Sequence, residues 1–260
     1  MAEIEIRECA TITEFDACIR LQREVFGLPD LEISPRRHLV VSRQAGGWTL
    51  GAFVADRLVG FVHHLVAVQD GQIAGYSHMM AVAFDYQNKG LGAQLKWAQR
   101  ERALAEGRTF IKWTWEPMRA RNAHFNLNRL GAVVEAYAED FYGTDYSTGQ
   151  EELPEDSRGI DSDRLQASWY LDHDRVADLG RGVTPRSLGE PAQTIVIPAD
   201  WIALLKADLP KARAELARVR NEFKQAFAAG LVCAGFDRAT VSYQLYNILG
   251  ESSNTALLRQ

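Results

Sequence analysis

Cysteine is scarce in this sequence, and positive charge is not in excess. The 260 residues include three cysteines, Cys9, Cys18 and Cys233, an odd number without CxxC spacing. Free buried thiols in a reducing cytoplasm are therefore expected, rather than disulfides or a metal site. Lys and Arg number 29 against 34 Asp and Glu, which gives a net charge of −5. A nucleic-acid-binding protein usually has a basic face, so no nucleic-acid partner is predicted.

Long apolar runs are also missing. No stretch approaches the roughly 20 apolar residues of a membrane-spanning helix, so no membrane partner is predicted. The first residues, MAEIEIRECATITEF, are charged and alternating, unlike a secretory signal peptide. Hydrophobic residues make up 47% of the chain and charged residues 24%, which is typical of a globular protein. A cytoplasmic location is expected.

One stretch, Tyr76–Leu104, combines a strand, a glycine-containing turn and a helix. Tyr76–Val82 is apolar with β-branched and aromatic residues, which predicts a strand. Gly90–Leu104 has apolar residues at helical spacing. The two glycines of the turn, Gly90 and Gly92, let a ligand approach bare backbone N–H groups. Because a helix start has unpaired donors and the positive end of the dipole, an anion is the expected ligand; a tight turn without a ligand is the alternative.

This turn differs from two better-known phosphate-binding patterns. The Rossmann pattern needs a third glycine, where this sequence has Leu95. A P-loop needs Gly-Lys-Ser/Thr, which does not follow.

The part of the chain before the turn predicts a strand, a helix and a three-stranded meander. Thr13 is the expected N-cap of a helix that ends at Gly27, and a loop with at most one helical turn follows to Gly47. His63 and His64 are adjacent on one strand and face opposite sides, so they are interpreted as structural. The predicted strands are Glu3–Cys9, Thr49–Val54, Leu58–Val68 and Ile73–Val82, the last two joined by the hairpin turn Asp70-Gly71.

After the central helix, the sequence predicts a βαβ arrangement and a further α/β segment. Ser147–Ser162 is an acidic loop, and Asp172–Pro191 is a linker. The remaining predicted elements are strand Thr109–Trp115, helix Arg119–Leu130 closed by Gly131, strands Val133–Tyr142, Leu165–Leu171 and Thr194–Ile197, a short helix capped by Asp200, helix Lys211–Ala229, and strands Leu231–Phe236 and Val241–Leu249.

Two motifs resemble those of a known superfamily. The pattern Val82-x-x-x-x-Gln87-x-x-Gly90-x-Gly92, at a strand-to-helix turn, resembles the acyl-CoA-binding motif of the GNAT N-acyltransferases. The run Arg121-Asn122-Ala123-His124-Phe125, followed by Arg129-Leu130-Gly131, resembles that family's next helix. The resemblance covers about Ile4–Leu171. The final third of the chain resembles the extension that a branch of larger, poorly characterised acyltransferases carries.

The resemblance implies a fold and a domain organisation. The fold class is α/β (α+β), a mixed and mostly antiparallel sheet flanked by helices. Residues 1–172 would form the acyl-CoA-binding domain, 173–192 a linker, and 193–260 a C-terminal α/β extension packed on the core.

The resemblance also implies the cofactor site and the reaction. Acetyl-CoA or another acyl-CoA would be the co-substrate, a small amine the second substrate, and no metal would be used. Backbone groups of Met80, Ala81 and Val82 would hold the pantetheine arm, and Asn122 and Phe125 would flank it. The pyrophosphate would lie on Gln87, Asn88, Lys89, Gly90, Leu91, Gly92 and Ala93.

The proton-transfer residues are less well defined by the sequence. Many relatives have a tyrosine that protonates the thiolate, but here that position is Leu127; Tyr142, Tyr137, His124 or water could substitute. Glu116, at the end of a strand, is the favoured general base, although an ion pair with Arg119 or Arg121 or a helix-cap role would also explain it. His78, which shares a face with Met80 and Val82, is the second candidate base, and a hydrogen-bonded core histidine is its alternative.

The sequence is compatible with three functions. The first is an N-acyltransferase that acts on a small amine, an amino acid among the candidates, with acetyl or succinyl as the acyl group. The second is a non-catalytic acyl-CoA-binding module, and the third is a protein N-acetyltransferase. Whether the protein forms a homodimer is also left open.

Overall fold

The structure, a computed structural model, describes residues 3–28, 30–143 and 160–247. It divides into two compact units, with the division after Ile111. Residues 147–159 of the predicted loop Ser147–Ser162 and the tail after Gly250 lie outside the described residues. The domain boundaries near 172 and 192 stay a prediction.

The described part of the first unit contains a four-stranded antiparallel meander and three α-helices. Its strands pair in the order β1-β2-β3-β4. Helix α1 buries Phe15, Cys18 and Leu21 against the sheet residues Phe53 and Phe61. The elements are β1 (Glu5–Glu8), α1 (Ile12–Phe26), α2 (Arg36–Gln44), β2 (Trp48–Val54), β3 (Arg57–Gln69), β4 (Gln72–Val82) and α3 (Leu91–Ala105).

The turns of this unit confirm several predictions. Asp70 and Gly71 both have positive φ, at 51° and 76°, as a two-residue hairpin of the mirror-image type requires. Gly27 closes α1 in the left-handed conformation, with φ of 59°. Helix α3 comes close to β3 at Gly60, where an added Cβ would lie 3.1 Å from a Leu95 methyl.

Two predictions for the first unit were wrong. The N-cap of α1 is Thr11 and not Thr13, because Thr11 forms a reciprocal capping box with Glu14. The segment expected to be a loop contains the nine-residue helix α2, whose Leu39 is fully buried. Burial of this apolar residue stabilises a helix that the flanking prolines and glycines concealed.

The second unit begins within β5 (Phe110–Trp115), and its strands follow the order β5-β7-β6-β9-β10-β8. Strand β9 of the predicted extension pairs antiparallel with β6 through Val134 and Cys233, so the extension continues the sheet of this unit. The other elements are α4 (Ala120–Ala123), β6 (Val133–Ala138), β7 (Arg164–Tyr170), α5 (Asp174–Gly180), β8 (Gln193–Val196), α6 (Trp201–Ala207), α7 (Leu209–Ala228), β9 (Leu231–Asp237) and β10 (Ser242–Asn247).

Three predictions for the second unit need correction. The helix expected over Arg119–Leu130 is one α-turn followed by a π-type turn, His124–Arg129, in which Leu130 N–H donates to the Phe125 carbonyl. Strand β6 ends at Ala138, so Tyr142 lies in the turn beyond it. The predicted linker contains α5, which buries Val176.

The three cysteines, Cys9, Cys18 and Cys233, are free and buried, as predicted. In the part of the chain that the structure describes, no helix is both long and apolar enough to cross a lipid bilayer.

Candidate functional site

The central strand β4 has a β-bulge at His78. Where β4 pairs with β3, Met79 of β4 lies opposite His63 and Ser77 lies opposite His64. His78, between them, is therefore the extra residue of the bulge. A bulge bends the strand and redirects the extra side chain. Met80, Ala81 and Val82 follow immediately and pair with Val62, Phe61 and Gly60. The predicted pantetheine-binding residues therefore begin just after this irregularity.

The turn after β4 is held by its own side chains. Gln87 Nε2 donates to the carbonyl of Val82 at 2.9 Å, and Lys89 Nζ donates to the carbonyl of Asp85 at 2.7 Å. Asn88 has a positive φ of 59°, which asparagine tolerates better than most residues. These contacts fix the path of the chain from the strand to the helix.

Helix α3 begins without a side-chain cap. Gly90, its N-cap, has φ of 85°, a conformation that favours glycine. The Ala93 N–H donates to the Gly90 carbonyl at 3.0 Å, so the N–H groups of Leu91 and Gly92 precede the hydrogen bonds of the helix. A Cβ added at Gly92 would lie 3.4 Å from the Met80 methyl. The geometry leaves backbone donors at a helix start, where a phosphate binds well.

A cluster of three histidines lies beside the bulge. The rings of His38, His63 and His78 are 5.3 to 6.0 Å apart between centroids. His78 Nε2 lies 3.0 Å from Ser34 Oγ. Burial, with the neighbouring histidines, lowers the pKa of His63 to about 3 and that of His78 to about 4, so these rings are neutral at pH 7.

The histidine cluster is not arranged for a metal. Both ring nitrogens of His63 are taken by hydroxyls, Nδ1 by Thr49 at 2.8 Å and Nε2 by Ser42 at 3.1 Å. Among the described residues, no group of three or more His, Cys, Asp or Glu side chains could hold a metal ion. His64 faces away, stacked on Trp48 with ring centroids 4.0 Å apart, which agrees with its predicted structural role.

The opposite face of the bulge is held by a buried lysine. Lys96 on α3 is 3% exposed, and its Nζ donates to Ser77 Oγ at 3.1 Å and to the side-chain carbonyl of Gln99. Burial lowers the pKa of Lys96 well below its ordinary value. Ser77 and His78 are thus held from the two sides of the strand, by α3 and by the α1–α2 connection.

In the second unit, Glu116 follows β5 directly. Its carboxylate accepts a hydrogen bond from Arg119 Nε at 2.8 Å, and the two side chains are 23% and 33% exposed. The ion pair that the sequence suggested as an alternative therefore exists. A partly exposed pair of this kind contributes little to stability.

Asn122 and Phe125 lie on the α4 segment that follows. Asn122 is exposed and Phe125 is half-buried, where α4 passes into the π-type turn. Such turns occur frequently at functional sites. Leu127, at the position of the usual tyrosine, is fully buried, so its side chain supplies no proton.

The three candidate acids have different surroundings. Tyr142 is 45% exposed, with its ring 5.0 Å from the Arg164 guanidinium. Tyr137 donates its hydroxyl to Asp163 at 2.6 Å, and burial raises its pKa above the ordinary value. Burial lowers the pKa of His124. Tyr142 is the more exposed of the two tyrosines.

The structure thus places the predicted residues in two groups. His78, Met80–Val82 and Gln87–Ala93 are contiguous in the first unit, and Glu116, Asn122, Phe125 and Tyr142 belong to the second. The contacts of Ser34 with His78 and of Tyr243 with the residues beside Glu116 were not predicted. No sequence pattern indicates these partners, because both lie far along the chain from the residues they contact.

Comparison with solved structures identifies the fold. A chain assigned to the GNAT acetyltransferases, from Desulfovibrio desulfuricans, matches with a TM-score of 0.52 and 18% identity, over 65% of this chain and 99% of that one. The ribosomal-protein-S18-alanine N-acetyltransferase of Escherichia coli matches with a TM-score of 0.50 and 14% identity, over 65% of this chain and 94% of that one. The protein has the GNAT fold, as its motifs predicted.

About a third of this chain has no counterpart in those two structures, which it covers almost completely. No protein-family model matches the sequence. A search of curated proteins gives no match either.

Proposed function

We propose that the protein is an acyl-CoA-dependent N-acyltransferase. It transfers an acetyl group, or another short acyl group such as succinyl, to the primary amine of a small molecule such as an amino acid. The observation that carries the proposal is the turn after β4, where left-handed Asn88 and Gly90 lead into an uncapped helix next to a bulged strand. This geometry suits the pyrophosphate of coenzyme A, and the GNAT fold supports the same ligand.

The reaction is direct attack of the amine on the thioester carbonyl. The ammonium group of the acceptor first loses a proton, which Glu116 accepts. The amine nitrogen then bonds to the carbonyl carbon, and a backbone N–H near Met80–Val82 stabilises the oxyanion. When the tetrahedral state collapses, the carbon–sulfur bond breaks, the thiolate takes a proton from Tyr142 or water, and the second proton that the nitrogen loses passes through solvent to restore that acid.

We further propose that the acceptor is a small molecule and that the protein is cytoplasmic. A small acceptor is favoured because the C-terminal strands add to the second unit, which carries Glu116. Three free cysteines favour the reducing cytoplasm.

Release of free CoA by the full-length protein tests this function. Acetyl-CoA and succinyl-CoA are each combined with amino acids, other small primary amines and peptides with a free N-terminus. Release that depends on a small amine supports the proposal, and release only with peptides favours a protein acetyltransferase. CoA binding without release in any combination would indicate a non-catalytic module, for which the buried Leu127 is the favouring observation.

A further inference from the structure

The hydroxyl of Tyr243, on β10, contacts the residues on both sides of Glu116. It accepts a hydrogen bond from Trp115 Nε1 at 3.3 Å. It donates to the carbonyl of Pro117 at 2.7 Å, across 126 positions of sequence. All three groups are buried. One side chain from the C-terminal strands therefore contacts the indole of the residue before the candidate base and the backbone carbonyl of the residue after it.

Tyr243 is itself fixed in place. Its side chain is 0% exposed, and its ring meets the rings of Phe223 and Phe236 edge-on, with centroids 5.0 Å apart in each case. Burial raises the pKa of Tyr243 well above its ordinary value, so the hydroxyl stays protonated and remains a donor at neutral pH. Because the ring is fully buried between two aromatic rings, its packing keeps the hydroxyl at the Pro117 carbonyl.

The same C-terminal strands hold the far end of the candidate segment. The Phe236 N–H donates to Asn128 Oδ1 at 2.9 Å. Arg175 donates to the carbonyls of Leu127 and Ala234 at 3.4 and 3.2 Å. The segment from Trp115 to Asn128, which contains Glu116, Asn122 and Phe125, is thus bound to β9 and β10 near both of its ends.

We propose that Tyr243 is a positioning residue for Glu116, acting through the Trp115 indole and the Pro117 backbone carbonyl. The inference rests on the proposed function, in which Glu116 takes a proton from the acceptor. A general base must be held within hydrogen-bonding reach of the proton it removes, and small displacements lower the rate steeply. The C-terminal strands therefore contribute to turnover although they carry no reacting group.

The test compares two tyrosine-to-phenylalanine variants on the same strand. Tyr243→Phe removes the bond to Pro117, whereas Tyr246→Phe removes a hydroxyl that bonds only to Gln244 of its own strand among the described residues. Tyr243→Phe should lower kcat about tenfold, as expected for loss of one buried hydrogen bond, with KM for acyl-CoA unchanged. Tyr246→Phe should keep the wild-type kcat. Equal kcat in the two variants would overturn the inference.

A double mutant separates positioning from general destabilisation. If Tyr243 acts through Glu116, then Tyr243→Phe in a Glu116→Gln background should lower kcat no further. A second tenfold loss in that background would show that Tyr243 acts elsewhere.

A further measurement does not depend on turnover. The Arg119 N–H donates to the Glu116 carbonyl at 3.2 Å, so its hydrogen exchange reports local opening of this turn. Exchange should be faster in Tyr243→Phe than in Tyr246→Phe, relative to the global unfolding rate of each. Unchanged exchange would contradict the positioning role, whereas failure of the wild type to transfer any acyl group would contradict the proposed function alone. Should Tyr243→Phe not fold, Trp115→Phe removes the other bond of the same hydroxyl and should also speed the exchange.

Discussion

His78 Nε2 and Ser34 Oγ lie 3.0 Å apart, and this contact connects the bulge of the central strand to the segment before α2. His38 and His63 complete the cluster around His78. Three imidazoles so close together cannot all be protonated at low cost. The arrangement therefore predicts how the stability of the protein depends on pH.

Stability should fall as the pH is lowered from about 6.5. The unfolded chain binds a proton at each histidine near pH 6.5, while burial holds the folded pKa of His63 at about 3 and that of His78 at about 4. Between these values the unfolded state binds more protons, so stability is lost as the pH falls. Fully buried His63 alone should cost about 2 kcal/mol by pH 5. Urea unfolding at pH 7 and pH 5 measures this loss.

The His63→Gln variant is the control for that pH dependence. It removes one titrating group and should lose less stability between pH 7 and pH 5 than the wild type. The same loss in both proteins would show that the cluster does not control the pH dependence.

Thr11→Ala should destabilise the protein, and Thr13→Ala should not. The Thr11 hydroxyl accepts from the Glu14 N–H at 3.2 Å, and the Glu14 carboxylate accepts from the Thr11 N–H at 2.9 Å. Loss of such a cap costs about 1 kcal/mol. Thr13 is exposed within the helix, where alanine is the better helix former. A larger loss of unfolding free energy for Thr13→Ala would contradict the capping assignment.

Glu116→Gln should lower turnover by roughly 10²- to 10⁴-fold, the usual cost of losing a general base. KM for acyl-CoA should change little, because Glu116 is not part of the phosphate-binding turn. Glu135→Gln is a matched control, since Glu135 is half-buried in the same unit and accepts a hydrogen bond from Tyr170; it should stay active. Steady-state CoA release measures all of these variants.

His78→Ala decides between the two candidate bases. A smaller loss than in Glu116→Gln is expected, because the effect would come mainly through packing. If His78→Ala is inactive while Glu116→Gln is active, the roles are exchanged. If both stay active, solvent takes the proton and the enzyme acts mainly by orienting its substrates.

The elements that could be predicted from the sequence are those in which the turn residues and the apolar periodicity indicate the same structure that the burial pattern shows. The meander, the hairpin turn Asp70-Gly71 and the strand-turn-helix at Gly90 were all predicted, because turn residues and apolar periodicity indicate the same structure there. Helices α2 and α5 were missed because prolines and glycines flank them, and each forms through burial of one apolar side, Leu39 or Val176. Nor does any local signal indicate the π-type turn of His124–Arg129.

The candidate site could be predicted only where it is local in sequence. Gln87–Ala93 is one continuous segment, so its residue types reveal the phosphate-binding geometry. The partners of His78 and Glu116 could not be inferred, because Ser34 and Tyr243 reach them through the tertiary fold. Such contacts depend on strand order and register, which residue patterns leave open.

Titration of coenzyme A into the full-length wild type and Gly92→Glu tests the central claim most directly. The wild type should bind. Gly92→Glu should give no measurable binding while keeping the wild-type circular dichroism, because it puts a side chain and a negative charge where the pyrophosphate must lie. Gly92→Ala, whose methyl would meet only Met80 at 3.4 Å, should bind more weakly than the wild type but measurably. Wild-type affinity in Gly92→Glu would contradict the assignment of this turn as the acyl-CoA site.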